Sequence, residues 1–268
     1  VLATTKTIYI VTNNTTVSDY RINVANTNKI ALIVQSGIMK VLNATGTAIN
    51  VTDNSFLWIE GSFQSTGTAF VLQFSGTLCK FNVVRKFRGI GDSTATIYNN
   101  NGTTASLFTD ISGTNLSGTS ANFISIDKDR NILNNVQAYN ISGKGIDILN
   151  SDNIILNSFS MNTAGIGIAV TATVNNLFLN NSTFHSTAPL VFLDTTASVT
   201  TMMNTLAINT SNTNAFVSNS NNPKFINTIA ANSTTTDISN GTANSINSIF
   251  RGIFKVKFGV CIIALAVN

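Results

Sequence analysis

Asn134, Asn157, Asn180, Asn204 and Asn227 stand 23, 23, 24 and 23 residues apart. Leu133, Leu156, Leu179 and Ile226 precede four of them, and Met203 precedes Asn204. A constant step of this size marks one structural unit stacked on copies of itself. The chain is therefore expected to build a solenoid.

Each step reads as three short strands. Gly145-Ile146-Asp147-Ile148 leads to Ile154-Ile155-Leu156-Asn157, then to Phe159 and Met161. Gly167-Ile168-Ala169-Val170 leads to Leu177-Phe178-Leu179-Asn180, then to Phe184. Apolar residues at alternate positions predict inward faces. Earlier strands are expected at Thr7 to Val11, Ile22 to Val24, Ile30 to Val34, Ile38 to Leu42, Ala48 to Val51, Phe56 to Ile59, Ala69 to Phe74 and Leu78 to Val84. Glycine and asparagine crowd residues 85–118, which predicts enlarged loops. Three parts follow: an N-terminal β-rich part over 1–119, regular coils over 120–250, and an apolar strand, cap or oligomerisation segment over 251–268.

A step of 22 to 24 residues with three strands fits a right-handed parallel β-helix. A leucine-rich repeat has a similar period, but it needs fixed leucines and a following helix or 3₁₀ segment. Here Ile, Leu, Val, Phe and Met interchange freely and no helical period follows. The asparagines have a job in such a coil. A sharp corner pushes the backbone toward left-handed geometry, which Asn tolerates better than most residues. Stacked amides are then expected to bond from coil to coil.

Hydrophobic residues make up 43% of the 268 and charged residues only 10%, against about 25% charged in average domains. That hydrophobicity argues against disorder. Net charge is +4, too little for a nucleic-acid footprint, though Lys80, Arg85, Lys86 and Arg88 cluster. They are read as a solvated loop or subunit contact, with contact to phosphates or an acidic glycan as the sharper alternative. Cys79 and Cys261 are expected as buried free thiols. The first residues carry no signal-peptide pattern. The apolar run Gly259 to Val267 is too short to span a bilayer, which needs roughly 20 residues.

The asparagine ladder and the Gly-Ile-x-Ile…Leu-Asn pattern make residues 120–250 resemble the pectate-lyase-like β-helix superfamily. Residues 1–119 match it only in style. The uncharged Asn/Thr/Ser-rich texture also resembles β-helical tail-spike, fibre and capsid-attached proteins of viruses and phages. The first resemblance implies polysaccharide cleavage by clustered acids, or by acids with a basic residue and calcium. The chain holds one glutamate, Glu60, and its best acid pair is Asp127 and Asp129 in Ser-Ile-Asp-Lys-Asp-Arg. On one strand face the pair would serve as weak catalytic candidates; in the blander reading it forms a charged turn. Asp147, between Ile146 and Ile148, is expected to face solvent. The one histidine, His185, has no partner marked in sequence, and neither a metal-ligand spacing nor a cofactor motif appears.

Trp58, Tyr98 and Tyr139 are glycan-platform candidates if they face outward, and core or interface residues if inward. Phe56 and Trp58 are expected to share a face. The functional expectation is a non-enzymatic structural protein of a virus or phage particle, on the virion surface or extracellular. It would be a spike, fibre or decoration that assembles as a homo-oligomer, trimer favoured, with other virion proteins. A host surface glycan is the further expected partner; nucleic acid, membrane insertion and cofactors are not expected. A polysaccharide-degrading spike and a cell-surface adhesin are the alternatives.

Overall fold

The computed structural model describes residues 7–18, 22–25, 29–42, 47–53, 55–66, 70–76, 79–91, 96–100, 102–115, 122–141, 143–162, 164–171, 175–184, 188, 191–193, 200–209, 216–218, 223–232, 244–246 and 248–251. All regular structure among them is strand. One sheet holds 18 strands, a second holds nine, and a small one pairs Cys79–Lys80 with Thr103–Thr104. Every pairing is parallel and joins a strand to its equivalent in the next winding. The chain is a parallel β-helix.

Each winding has three walls. Ile154–Leu156 lies in the first wall, Phe159–Asn162 in the second and Ile168–Val170 in the third. The first two walls share the larger sheet. In middle windings one strand runs through both, as in Trp58–Ser65, Val83–Gly91, Leu107–Asn115 and Ile132–Ile141. From Ile154 onward the corner divides it into two short strands.

The core is a shaft of columns. Leu133, Ile155, Phe178, Met202 and Phe225 stack inside the first wall, each fully buried. Ile124, Ile146, Ile168 and Val191 form a column of the third. The second contributes small residues, Ala138, Ser160, Thr183, Ala207 and Ala230. Small residues on one wall leave room for the large ones opposite. A fully buried Leu, Ile or Phe contributes about 1.5–3 kcal/mol, so the shaft supplies most of the stabilisation. Cys79 is a buried thiol outside any disulfide, as expected, its Sγ donating to the Ser75 carbonyl at 3.5 Å; Cys261 lies outside the described residues.

Much of 85–118 departs from the expected loops, because Arg85–Gly91, Thr96–Asn100 and Leu107–Asn115 belong to strands. Gly113 serves packing there. A Cβ on it would come within 2.4 Å of the Phe123 ring and 2.9 Å of the Gly89 carbonyl.

Candidate functional site

Two corners per winding take left-handed geometry. At the corner between the first and second walls, Asn157, Asn180, Asn204 and Asn227 have φ of 49°, 55°, 50° and 49°. The Asn157 Nδ2 donates to Asn134 Oδ1 at 2.9 Å, and the next three amides repeat this at 3.2, 3.0 and 3.2 Å. The predicted file is present, with one difference. Asn134 is itself an extended residue in register with Leu156, and its neighbour Asn135 makes the turn at φ 54°. The Asn135 amide continues downward to Asp110 Oδ1 at 2.8 Å. Register is unbroken across this bend, so Asn135 and not Asn134 is the counterpart of Asn157. An extra residue at this corner is found instead at Lys86, φ 45°, because Arg85 and Phe87 pair with the consecutive Glu60 and Gly61.

The corner between the third and first walls carries no uniform residue. Lys29, Phe56, Phe81, Ala105, Arg130, Asp152 and Asn175 occupy it, with φ between 50° and 63°. The residue after most of these is buried and polar: Asn82, Ser106, Asn131, Asn153 and Asn176. Their side-chain oxygens accept the backbone N–H of the residue one winding below. Leu57 donates to Asn82, Asn82 to Ser106, Ser106 to Asn131, Asn131 to Asn153, and Asn153 to Asn176, at 2.8 to 3.2 Å. A buried donor left unpaired costs about 1–3 kcal/mol, so this inner ladder matters more than the visible outer one. Sequence analysis missed it, although Asn131, Asn153 and Asn176 keep the same step.

Outside the shaft the polarity is unexpected. The three-residue strands of the first wall point their middle residue inward and the other two outward. Leu156, Leu179, Met203 and Ile226 therefore form an outward row, half-buried by their own neighbours. A parallel row runs through Trp58, Val83, Leu107, Ile132, Ile154 and Leu177. Ile8 and Ile10 start this wall, 66% and 57% exposed. Across the asparagine corner, Tyr139, Phe159, Met161, Phe184, Leu206, Ile208 and Ile229 face outward on the second wall. Phe159 packs against both Tyr139 and Phe184, with ring centroids 5.4 and 5.6 Å apart.

The sequence candidates fall in different places. Trp58 faces outward, half-buried, beneath the Arg85 guanidinium 5.3 Å from its ring. Its Nε1 donates to Glu60 Oε2 at 3.2 Å, and Glu60 also meets Arg85 and Lys86 at 3.5 and 3.7 Å. Two of the clustered cations are thus engaged by one carboxylate. Tyr139 is exposed, with its hydroxyl donating to Gln137 at 3.2 Å. Tyr98 is no platform: it is fully buried between Phe74 and Phe108, ring centroids 5.9 and 5.0 Å away. Its hydroxyl finds no hydrogen-bond partner, and burial, helped by Cys79, pushes its pKa well above the usual value. Phe56 does not share a face with Trp58, because it sits at the left-handed corner before that strand begins.

Asp127, Lys128, Asp129 and Arg130 follow the strand Ile124–Ile126 as a turn rather than as its continuation. Arg130 Nε donates to Asp129 Oδ2 at 2.8 Å. Asp147 corrects its expectation. Its side chain is 4% exposed, held by Lys144 Nζ at 2.9 and 3.0 Å. Burial raises its pKa, and the Lys144 ammonium opposes that rise. The outward positions of the third wall are shielded, as Ser125 and Ala169 on either side also show. His185 lies outside the described residues. Among the described residues no group of three His, Cys, Asp or Glu side chains is placed to hold a metal.

No family model matches the chain, and no curated protein matches it. Among solved structures it is similar to the mannuronan C-5 epimerase AlgE4 A-module of Azotobacter vinelandii, at 11% identity and a TM-score of 0.44. That likeness covers 91% of this chain and 89% of the other. It concerns the path of the backbone and not the chemistry on it.

Proposed function

We propose that the chain is a non-enzymatic structural protein of a virus or phage particle, a rigid spike, fibre or decoration that packs side by side with copies of itself. It stands on the virion surface or outside the cell, and presents its remaining surface for host attachment. The observation that carries this reading is the outward apolar face on both sides of the asparagine corner. Both walls carry outward apolar residues over five windings, from Ile132 and Tyr139 to Ile226 and Ile229, a strip ~24 Å long at ~4.8 Å per winding. There two walls, each about three residues wide, offer on the order of 500 Å², and the row from Trp58 through Val83 to Leu107 extends the strip toward the ~800 Å² that each partner buries in a standard interface. A flat face ruled at one strand spacing fits another solenoid laid alongside it, and a closed trimer covers such a face on every copy.

The test is light scattering of the purified chain at micromolar concentration. The expected result is a defined oligomer that L156E/L179E converts to a folded monomer. A monomeric wild-type chain removes the assembly reading.

A further inference from the structure

The corner between the third and first walls holds two phenylalanines where the fold has a less costly option. The N–H groups of Lys29, Phe56, Phe81 and Ala105 donate to the carbonyls of Ser55, Lys80, Thr104 and Asp129. Each bond ties a corner to the chain of the next winding, so the corner residues stand in one file at a spacing of ~4.8 Å. Phe56 and Phe81 have φ of 60° and 55°, a region bulky residues rarely adopt. Asn175 occupies the same file with the side chain that tolerates it best,. Nor do the rings recover that cost by burial, being 53% and 54% exposed. They stack on each other, centroids 5.6 Å apart and planes inclined by 26°. Backbone strain combined with exposed aromatic surface points to use rather than to packing.

Their surroundings specify the use. Lys29 and Lys80 flank the pair and are exposed. Above Phe81 the next corner residue is Ala105, and the one after it is Arg130, paired with Asp129. Phe81 and Arg130 are therefore two strand spacings apart, ~10 Å, with only a methyl group between them. The notch has an aromatic floor and a carboxylate–guanidinium pair at its far side. A pyranose matches that combination. Its C–H face lies against an aromatic ring, and its rim hydroxyls donate to a carboxylate and accept from a guanidinium. A flat aromatic ligand would leave Asp129 and Arg130 without polar atoms to meet.

We propose that Phe56, Phe81, Ala105, Asp129 and Arg130 form a binding subsite for a pyranose of a glycan chain, with Lys29 and Lys80 at its margin. This gives the attachment role proposed above a ligand class and rests on that role only for its setting. The test is affinity electrophoresis in gels holding dextran, hydroxyethyl cellulose, polygalacturonate or heparin, repeated at about 0.5 M salt, where exposed charges are screened. The wild-type chain is expected to be retarded in at least one gel at both salt levels. F56N/F81N is expected to lose the retardation and to melt at a higher temperature, because asparagine relieves the corner. That opposition of signs distinguishes a ligand site from a structural stack. The proposal is overturned by a wild-type chain retarded in no gel, by retardation that salt abolishes, or by a double variant that stays retarded or melts lower. Light scattering of the same samples reports assembly separately, so the two readings fail independently.

Discussion

At the scale of single residues, the two kinds of ladder divide the work of turning the chain. An outer asparagine supplies a backbone tolerant of positive φ and a hydrogen bond worth about 0.5–1.5 kcal/mol. Asn180→Ala is expected to destabilise by about 1–3 kcal/mol and Asn180→Gly by less, since glycine adopts the corner freely. Urea unfolding of the two variants separates backbone from amide. Asn153→Ala removes the acceptor of a buried N–H and is expected to cost more than Asn180→Ala in the same measurement. Tyr98→Phe is expected to raise stability by about 1 kcal/mol, because it deletes a buried hydroxyl that has no partner,. Asp147 gives a pH signature. Its folded pKa lies above the ordinary 3.8, so the unfolded chain releases its proton first as pH rises. Its contribution to stability is complete below 3.8 and is lost as pH climbs through the folded pKa. Asp147→Asn should flatten that part of the decline in denaturation curves recorded at pH values above 3.8,.

Elements explain why some of this was legible in sequence and some was not. The outer asparagines were readable because a corner repeats once per winding and tolerates few residue types. The inner ladder was hidden because Ser106, Thr103 and asparagine share its work, so no single letter marks it. Facing was hidden for a different reason. In Leu177–Leu179, Leu-Phe-Leu, every residue is apolar, and three residues are too few for a period to declare itself,. Alternation suggested that greasy residues point inward, yet two of the three point outward. Phe56 read as strand because aromatic residues favour strands, but the winding needed a corner there. Asp147 read as exposed because its own alternation is right; its burial comes from Lys144 folded onto it and from its neighbours Ser125 and Ala169 one winding away, which alternation along one strand does not reveal. At this scale L156E/L179E is again decisive: both side chains face outward, so circular dichroism should hardly change while assembly is lost and the melting temperature falls to that of the lone chain.

The whole molecule is a one-dimensional stack in which each winding touches only its neighbours. Stability is then close to a sum of nearest-neighbour terms. Side-by-side packing joins several such stacks, and the melting temperature of the wild-type chain is expected to rise with protein concentration while that of L156E/L179E stays constant. Calorimetry over a hundredfold dilution checks it. The glycan notch borders the first apolar wall, whose outward row of Trp58, Val83, Leu107 and Ile132 begins two residues after each notch corner, while the second wall lies beyond the asparagine corner.

The single residue accommodated at Lys86 has a further consequence. A lone insertion at a bend can be swallowed locally, because pairing resumes in step on its far side, with Phe87 to Gly91 matched to Gly61 to Ser65. Half a winding cannot be, since it would hand every later side chain to a foreign neighbour. Evolution of length in this molecule should therefore proceed by whole laps, with one-letter stutters confined to the bends.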